Sequence, residues 1–133
     1  MNRLKAKIEL INSHDELLLI ELNVQRAKII AIIIGRFHDY SYLEIGNEIV
    51  ILFKENKVII LKNKALKISI KNKLASTISS MLTKNLLSQI KLNFIDFTLS
   101  SIITARSIQN LNLKPQDIVT ALIKPNEMIL SEC

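Results

Sequence analysis

With 133 residues, 49% of them hydrophobic, and a mean hydropathy of +0.28, the chain has room for one domain or two very small ones and is too apolar to be disordered. Eighteen basic against twelve acidic side chains leave a net charge of +6, which favours anionic partners: nucleic acid, a membrane surface or small oxyanions. The one cysteine, Cys133, stands last and excludes an internal disulfide, so a reducing cytoplasm is the default.

Charges alternate after Met1 through Arg3, Lys5, Lys7 and Glu9, so no signal peptide is expected. Residues 5–11 alternate polar and apolar as a half-buried strand does, and 16–22 and 26–34 read as the next two strands. The longest apolar run, 29–34, is far below the roughly 20 residues needed to span a bilayer. A connector at 34–46 leads to a fourth strand at 48–54, and "KENK" turns the chain into a short fifth at 57–61. Residues 62–71 read as an extended link. The second half offers strands at 74–82, 86–94, 96–104, 117–124 and 127–131, with a matching turn at "KPNE". Its connector, 104–116, matches 34–46; each connector is expected to hold its half's one helix, seen best in "SIQNLNL" before Pro115. Glycine and proline number two each, so Asn, Ser and Lys take most turns.

The two halves are one pattern written twice. A shift of 70 carries Asn2, Leu4 and Ile8 onto Asn72, Leu74 and Ile78, and Ile32 and Ile33 onto Ile102 and Ile103. It also carries Leu43 onto Leu113, Leu52 onto Leu122, Lys54 onto Lys124 and Ile59 onto Ile129, without a gap. The apolar register holds over some sixty residues, as duplication would leave it. Two tandem, mostly β units follow: 1–62, a connector at 63–71, and 72–133. Each resembles a small OB-like barrel of five strands with one short helix between the third and fourth. Units near 60 residues seldom make a sufficient core alone, so the halves should pack together and the chain should oligomerise.

Thr104 and Ser107 stand three residues apart at the end of a strand. Thr104 suits a helix N-cap and Ser107 the third helical position, where free N–H groups and the helix dipole attract anions. A cap and an anion site are both open readings of this pair.

The second-half segments 69–78 and 102–130, with "ALIK" at 121–124, resemble the Mop or TOBE domain, and the tandem arrangement resembles the di-Mop proteins, the molbindins. That family's S-x-R-N, T-x-x-S and late-lysine motifs gather molybdate or tungstate at subunit interfaces. Carried over, the resemblance implies Ser69, Lys71, Asn72, Thr104, Ser107 and Lys124 as oxyanion ligands, with Lys54, Asn2 and Arg106 as weaker candidates. Lys71 stands where the family has Arg and loses the planar fork. Asn112 replaces the Gly of L-G-L. In the first half only Asn2 and Lys54 keep their motifs, while Ile34 and Phe37 fill the hydroxyl positions, so that half reads as degraded for oxyanions.

The resemblance implies a cytoplasmic homo-oligomer, a trimer or dimer, that holds molybdate or tungstate for storage or homeostasis with no covalent cofactor. A donor-only site suits an oxyanion whose four oxygens accept and carry no proton. No catalytic set is visible: Ser-His-Asp, P-loop and G-x-G-x-x-G patterns are missing, and Cys133 lacks a base. His14 and His38 have no metal-ligand spacing and read as surface loop residues, so no direct metal coordination is expected. Two other readings are a ligand-sensing or protein-interaction domain of a molybdate-responsive regulatory system, and an OB-like binder of single-stranded nucleic acid. Six scattered Phe and Tyr residues make no stacking platform, which disfavours the last, and no membrane partner is expected.

Overall fold

The computed structural model describes residues 1–62 and 66–133; the expected connector at 63–71 thus falls partly, at 63–65, outside the described residues. Ten strands form, at the sequence-predicted places: β1 (Asn2–His14), β2 (Leu17–Val24), β3 (Ala27–Ile34), β4 (Glu48–Phe53), β5 (Ile59–Leu61), β6 (Asn72–Lys84), β7 (Leu87–Phe94), β8 (Phe97–Thr104), β9 (Ile118–Ile123) and β10 (Ile129–Glu132). The architecture is mostly β, in two five-stranded antiparallel sheets. β1 and β6 run longer than the alternation alone predicts. Their inner residues alternate buried and exposed only over the first half, and their far ends are open to solvent.

The first sheet runs β10-β4-β1-β2-β3 and the second β5-β9-β6-β7-β8. Each repeat therefore gives its fifth strand to the other's sheet: β5 pairs with β9, and β10 with β4. The repeat in sequence and the sheet in space do not coincide. One apolar core results, in which Leu4, Leu18, Ile20 and Phe53 join Leu74, Ile90, Leu92 and Leu130 in a single cluster. A bulge after Ile8, and its counterpart after Ile78, bends each first strand so that it can pair on both sides.

Two asparagines tie the sheets. Asn72, wholly buried, accepts from the backbone N–H of Ile30 (2.7 Å) and donates to its carbonyl (2.9 Å). Asn2, 5% exposed, does the same to Ser100, at 2.7 and 2.9 Å. Ile30 and Ser100 are themselves 70 residues apart, so the two clamps are one device used twice. Each satisfies a residue on an edge strand, where an open N–H and C=O would otherwise need water.

The connectors differ. In the second half a helix forms, α1 (Ala105–Leu111), with Thr104 as N-cap and Asn112 in the left-handed conformation (φ 50) at its end. Lys62 donates to the carbonyls of Leu111 and Asn112, both at 2.9 Å, where a cation meets the negative end of the helix. The first half has Gly35 in place of the first helical residue and no hydroxyl cap, and makes only a 3-10 turn at Phe37–Asp39. There the Tyr40 ring lies against Gly35, where a Cβ would sit 2.8 Å from it.

Two predictions follow from the backbone. Asn72→Ala leaves the half-buried Ile30 N–H and C=O without their partner, and should cost about 1–3 kcal/mol in urea unfolding. Ile95, β-branched, 47% exposed and held at φ +54, is strained in the β7–β8 turn. Ile95→Gly should raise stability by about 1 kcal/mol, read as a higher urea midpoint at unchanged slope.

Candidate functional site

The register decides where the candidate side chains go. Asn72 lies opposite Ile123, so Lys71 and Lys124 leave the same end of the β6–β9 ladder, one residue beyond on each strand. Both lysines are exposed, and neither forms an ion pair among the described residues. Ser69 is exposed just upstream. Thr104 stands at the other end of β6: it pairs with Leu87, and Leu87 with Lys84. The two groups are separated by the length of β6, about 40 Å of strand contour.

Strand exchange then assigns each group a neighbour from the other repeat. The turn Pro125–Glu127, which follows Lys124, packs on β3, and Asn72 is clamped to Ile30 of the same strand. Ser69, Lys71, Asn72 and Lys124 therefore face the strand that ends at Ile34, followed by Phe37. The turn Glu55–Lys57, which follows Lys54, packs on β8, where the Ser101 hydroxyl donates to the Val58 carbonyl at 2.9 Å. Asn2 and Lys54 therefore face the strand that ends at Thr104. The six principal candidates do not converge within one chain. They split between a central junction, with the two free lysines, and an amino-terminal junction, with the two hydroxyls.

Thr104 caps the helix and shares a hydroxyl pair with Ser107. Its Oγ1 accepts from the Ser107 backbone N–H at 3.2 Å, and the two side-chain oxygens lie 2.8 Å apart. Between them the hydroxyls hold two protons, and only one is used in their mutual bond, so one stays available to an acceptor. Arg106 is exposed and unpaired among the described residues, beside this pair.

The central junction has no such hydroxyls. Ile34 is 77% exposed, and the hollow beside it is lined by Leu17, Tyr40, Met128 and Ile129. The Tyr40 hydroxyl donates to Ile34 O (3.1 Å) and that of Tyr42 to Leu130 O (3.3 Å), with the two rings edge to face at 6.0 Å. These hydroxyl protons are already used. The buried Asn72 amide has one proton left after its bond to Ile30.

A polar cleft at the amino-terminal junction escaped the sequence reading. Arg3, Gln89, Thr98 and Ser100 line it with Asn2 and Glu55. The Glu55 carboxyl meets the Met1 amine at 2.5 Å, and the hydrogen bond from that amine holds it below the usual carboxylate range. A signal was present: the shift of 70 sets Thr98 and Ser100 against Lys28 and Ile30, hydroxyls where the other half has none. His14 lies 3.5 Å from Asp15, with both fully in solvent. Among the described residues, no three His, Cys, Asp or Glu side chains gather to hold a metal.

The family model described as the TOBE domain matches residues 68–130. Among solved structures, the chain is similar to the cytoplasmic molybdate-binding protein ModG in a form with molybdate bound. Identity there is 20% over 99% of this chain and 96% of that one, with a TM-score of 0.93. It is also similar to a molybdate-binding protein from Sporomusa ovata, at 36% identity over 44% of this chain and 88% of that one, with a TM-score of 0.43. No curated protein matches the chain.

The cap makes its own prediction. Thr104→Val removes the acceptor for the Ser107 N–H and should cost about 1 kcal/mol, while Thr104→Ser should hold within a few tenths; thermal unfolding of both variants checks this.

Proposed function

We propose, for a chain whose residues 68–130 match the TOBE domain and whose fold is similar to that of ModG, that it binds molybdate, and tungstate through the same geometry, without transforming it. The observation that supports this most directly is the hydroxyl pair Thr104 and Ser107, placed on a helix cap in one repeat and replaced by Ile34 and Phe37 in the other. Both halves turn after the third strand, but only the second makes an α-helix, which the Thr104 hydroxyl caps. The Ser107 hydroxyl is not needed for that cap, which uses the Ser107 backbone N–H.

Chemistry points the same way. A tetrahedral dianion without protons accepts at every oxygen, and the candidates are all donors: Ser69, Lys71, Asn72, Thr104, Ser107 and Lys124. Lys71 and Lys124 would balance two negative charges. Phosphate near neutrality keeps a proton and favours a nearby acceptor, which this set does not require.

The split between the junctions adds a condition. Lys71 and Lys124 of one chain reach the Thr104 and Ser107 hydroxyls only across an interface with a second copy. The complete site is therefore shared in a homo-oligomer, and binding serves storage or homeostasis of the anion in the cytoplasm. No helix among the described residues is long and apolar enough to cross a membrane.

Thermal unfolding with molybdate, tungstate, sulfate and phosphate tests this reading. Molybdate at 100 times its dissociation constant should add about 2.7 kcal/mol. No shift with millimolar molybdate, on folded protein stripped of anion, would sink the reading. Ser107→Ala and Lys124→Met should each weaken binding at least tenfold in titration calorimetry, whereas Phe37→Ala should lower stability alone. Mixing the two variants should restore part of the binding if the site is shared between copies, and sedimentation should show more than one chain.

A further inference from the structure

We infer that the cleft at the amino-terminal junction is a second site for a tetrahedral oxyanion, separate from the Thr104 and Ser107 hydroxyls and built across the two repeats of one chain. The identity of the anion rests on the reading above; the existence of the site does not.

The cleft is assembled by the Asn2 clamp. Because Asn2 grips both backbone groups of Ser100, its neighbour Arg3 is fixed in register with β8. Thr98 and Ser100 project from the same outer face of that strand, and Gln89, on β7, stands opposite Ile102 on that face. The result is a guanidinium, a side-chain amide and two hydroxyls around one polar hollow. None of these four side chains makes a side-chain hydrogen bond or ion pair among the described residues. All four donate. The one carboxylate there, Glu55, is occupied by the Met1 amine. Lys54 adds a second positive charge at the same end of the β1–β4 ladder.

The fold itself does not require this lining. The shift of 70 carries Gln89, Thr98 and Ser100 onto Leu19, Lys28 and Ile30. The central junction has the same clamp and the same strand order, with Lys73 at the repeat position of Arg3, so it keeps two cations but neither the hydroxyls nor the amide. Polar residues at the amino-terminal junction are thus surplus to structure. Thr98 and Thr104 are six residues apart on one strand, about 20 Å, too far for one small ion to bridge. Two anions, not one, would occupy this side of the molecule.

Equilibrium dialysis of the full chain against molybdate, sulfate and phosphate in turn tests the site. The double variant Arg3→Ala with Thr98→Val should lose one bound anion per chain, and the remaining class should keep its dissociation constant within twofold. Arg3→Lys should keep both classes. Ser107→Ala should remove the other class and leave this one. Both substituted positions in the double variant are exposed, and its thermal unfolding should match the parent without ligand. Unchanged stoichiometry in the double variant would overturn the inference, as would loss of both classes in Ser107→Ala. If the parent binds sulfate or phosphate in an Arg3-dependent way and ignores molybdate, the cleft stands and the functional reading above falls. If no anion binds at all, both fall.

Discussion

Two buried asparagine side chains hold the architecture in register. Each uses its carbonyl and one N–H to complete the backbone pairing of a residue on the opposite repeat's third strand. At Asn2 and Asn72 the strand is paired on one side only, with β4 and β9, and the side chain reaches across to the other repeat's edge strand. The side chain acts as a one-residue extension of the sheet. It also satisfies an edge that would otherwise be an open template for another chain. The positions of the candidates at the strand starts and after β4 and β9 follow from these two contacts. Those of Thr104 and Ser107 follow from the β7–β8 pairing and the helix cap. The clamps set where β1 and β6 begin, and hence where Arg3, Lys71 and the two late lysines leave the sheet.

The clamps are symmetrical and their surroundings are not. At the central junction the hollow is apolar and the tyrosine hydroxyls are spent on backbone carbonyls. At the amino-terminal junction hydroxyls, an amide and a guanidinium face solvent. Thr104 and Ser107 extend the same asymmetry along β8. A duplicated scaffold thus keeps its packing residues paired while its outer residues diverge. The core tolerates little change, since a lost methylene leaves a cavity, whereas an outer face of β8 costs little to rewrite.

Much of the strand pattern was legible because its cause is local. Alternation in "KLASTISSML" follows from one face being buried, and the turn before β10 follows from Pro125 and Asn126. The cap was legible too: Thr104 and Ser107 occupy the N-cap and third helical positions that their spacing requires. The first repeat's missing helix is readable afterwards in Gly35 and the absent hydroxyl, both weak signals beside a strong repeat. Strand exchange was not legible. β5 and β10 have the same apolar alternation whichever sheet receives them, so the choice lies in the geometry of the link and in non-local pairing. The site inherited that blindness. Ser69 through Lys124 read as one group along the chain, yet exchange sends the lysines to β3 and leaves the hydroxyls with Asn2 and Lys54.

The exchanged fifth strands carry a consequence for mass action. Two separate single-repeat chains trading these strands would assemble only as fast and as fully as their concentration allowed. Joining them on one polypeptide makes the trade intramolecular, at an effective concentration of order millimolar for a short link. The exchanged pair then forms at any expression level, and it forms between two partners that are never identical. Identical chains must present the same surface twice around a twofold axis. A tandem chain is released from that rule, and its two junctions are free to diverge, one lined mainly by apolar side chains and the other by polar ones.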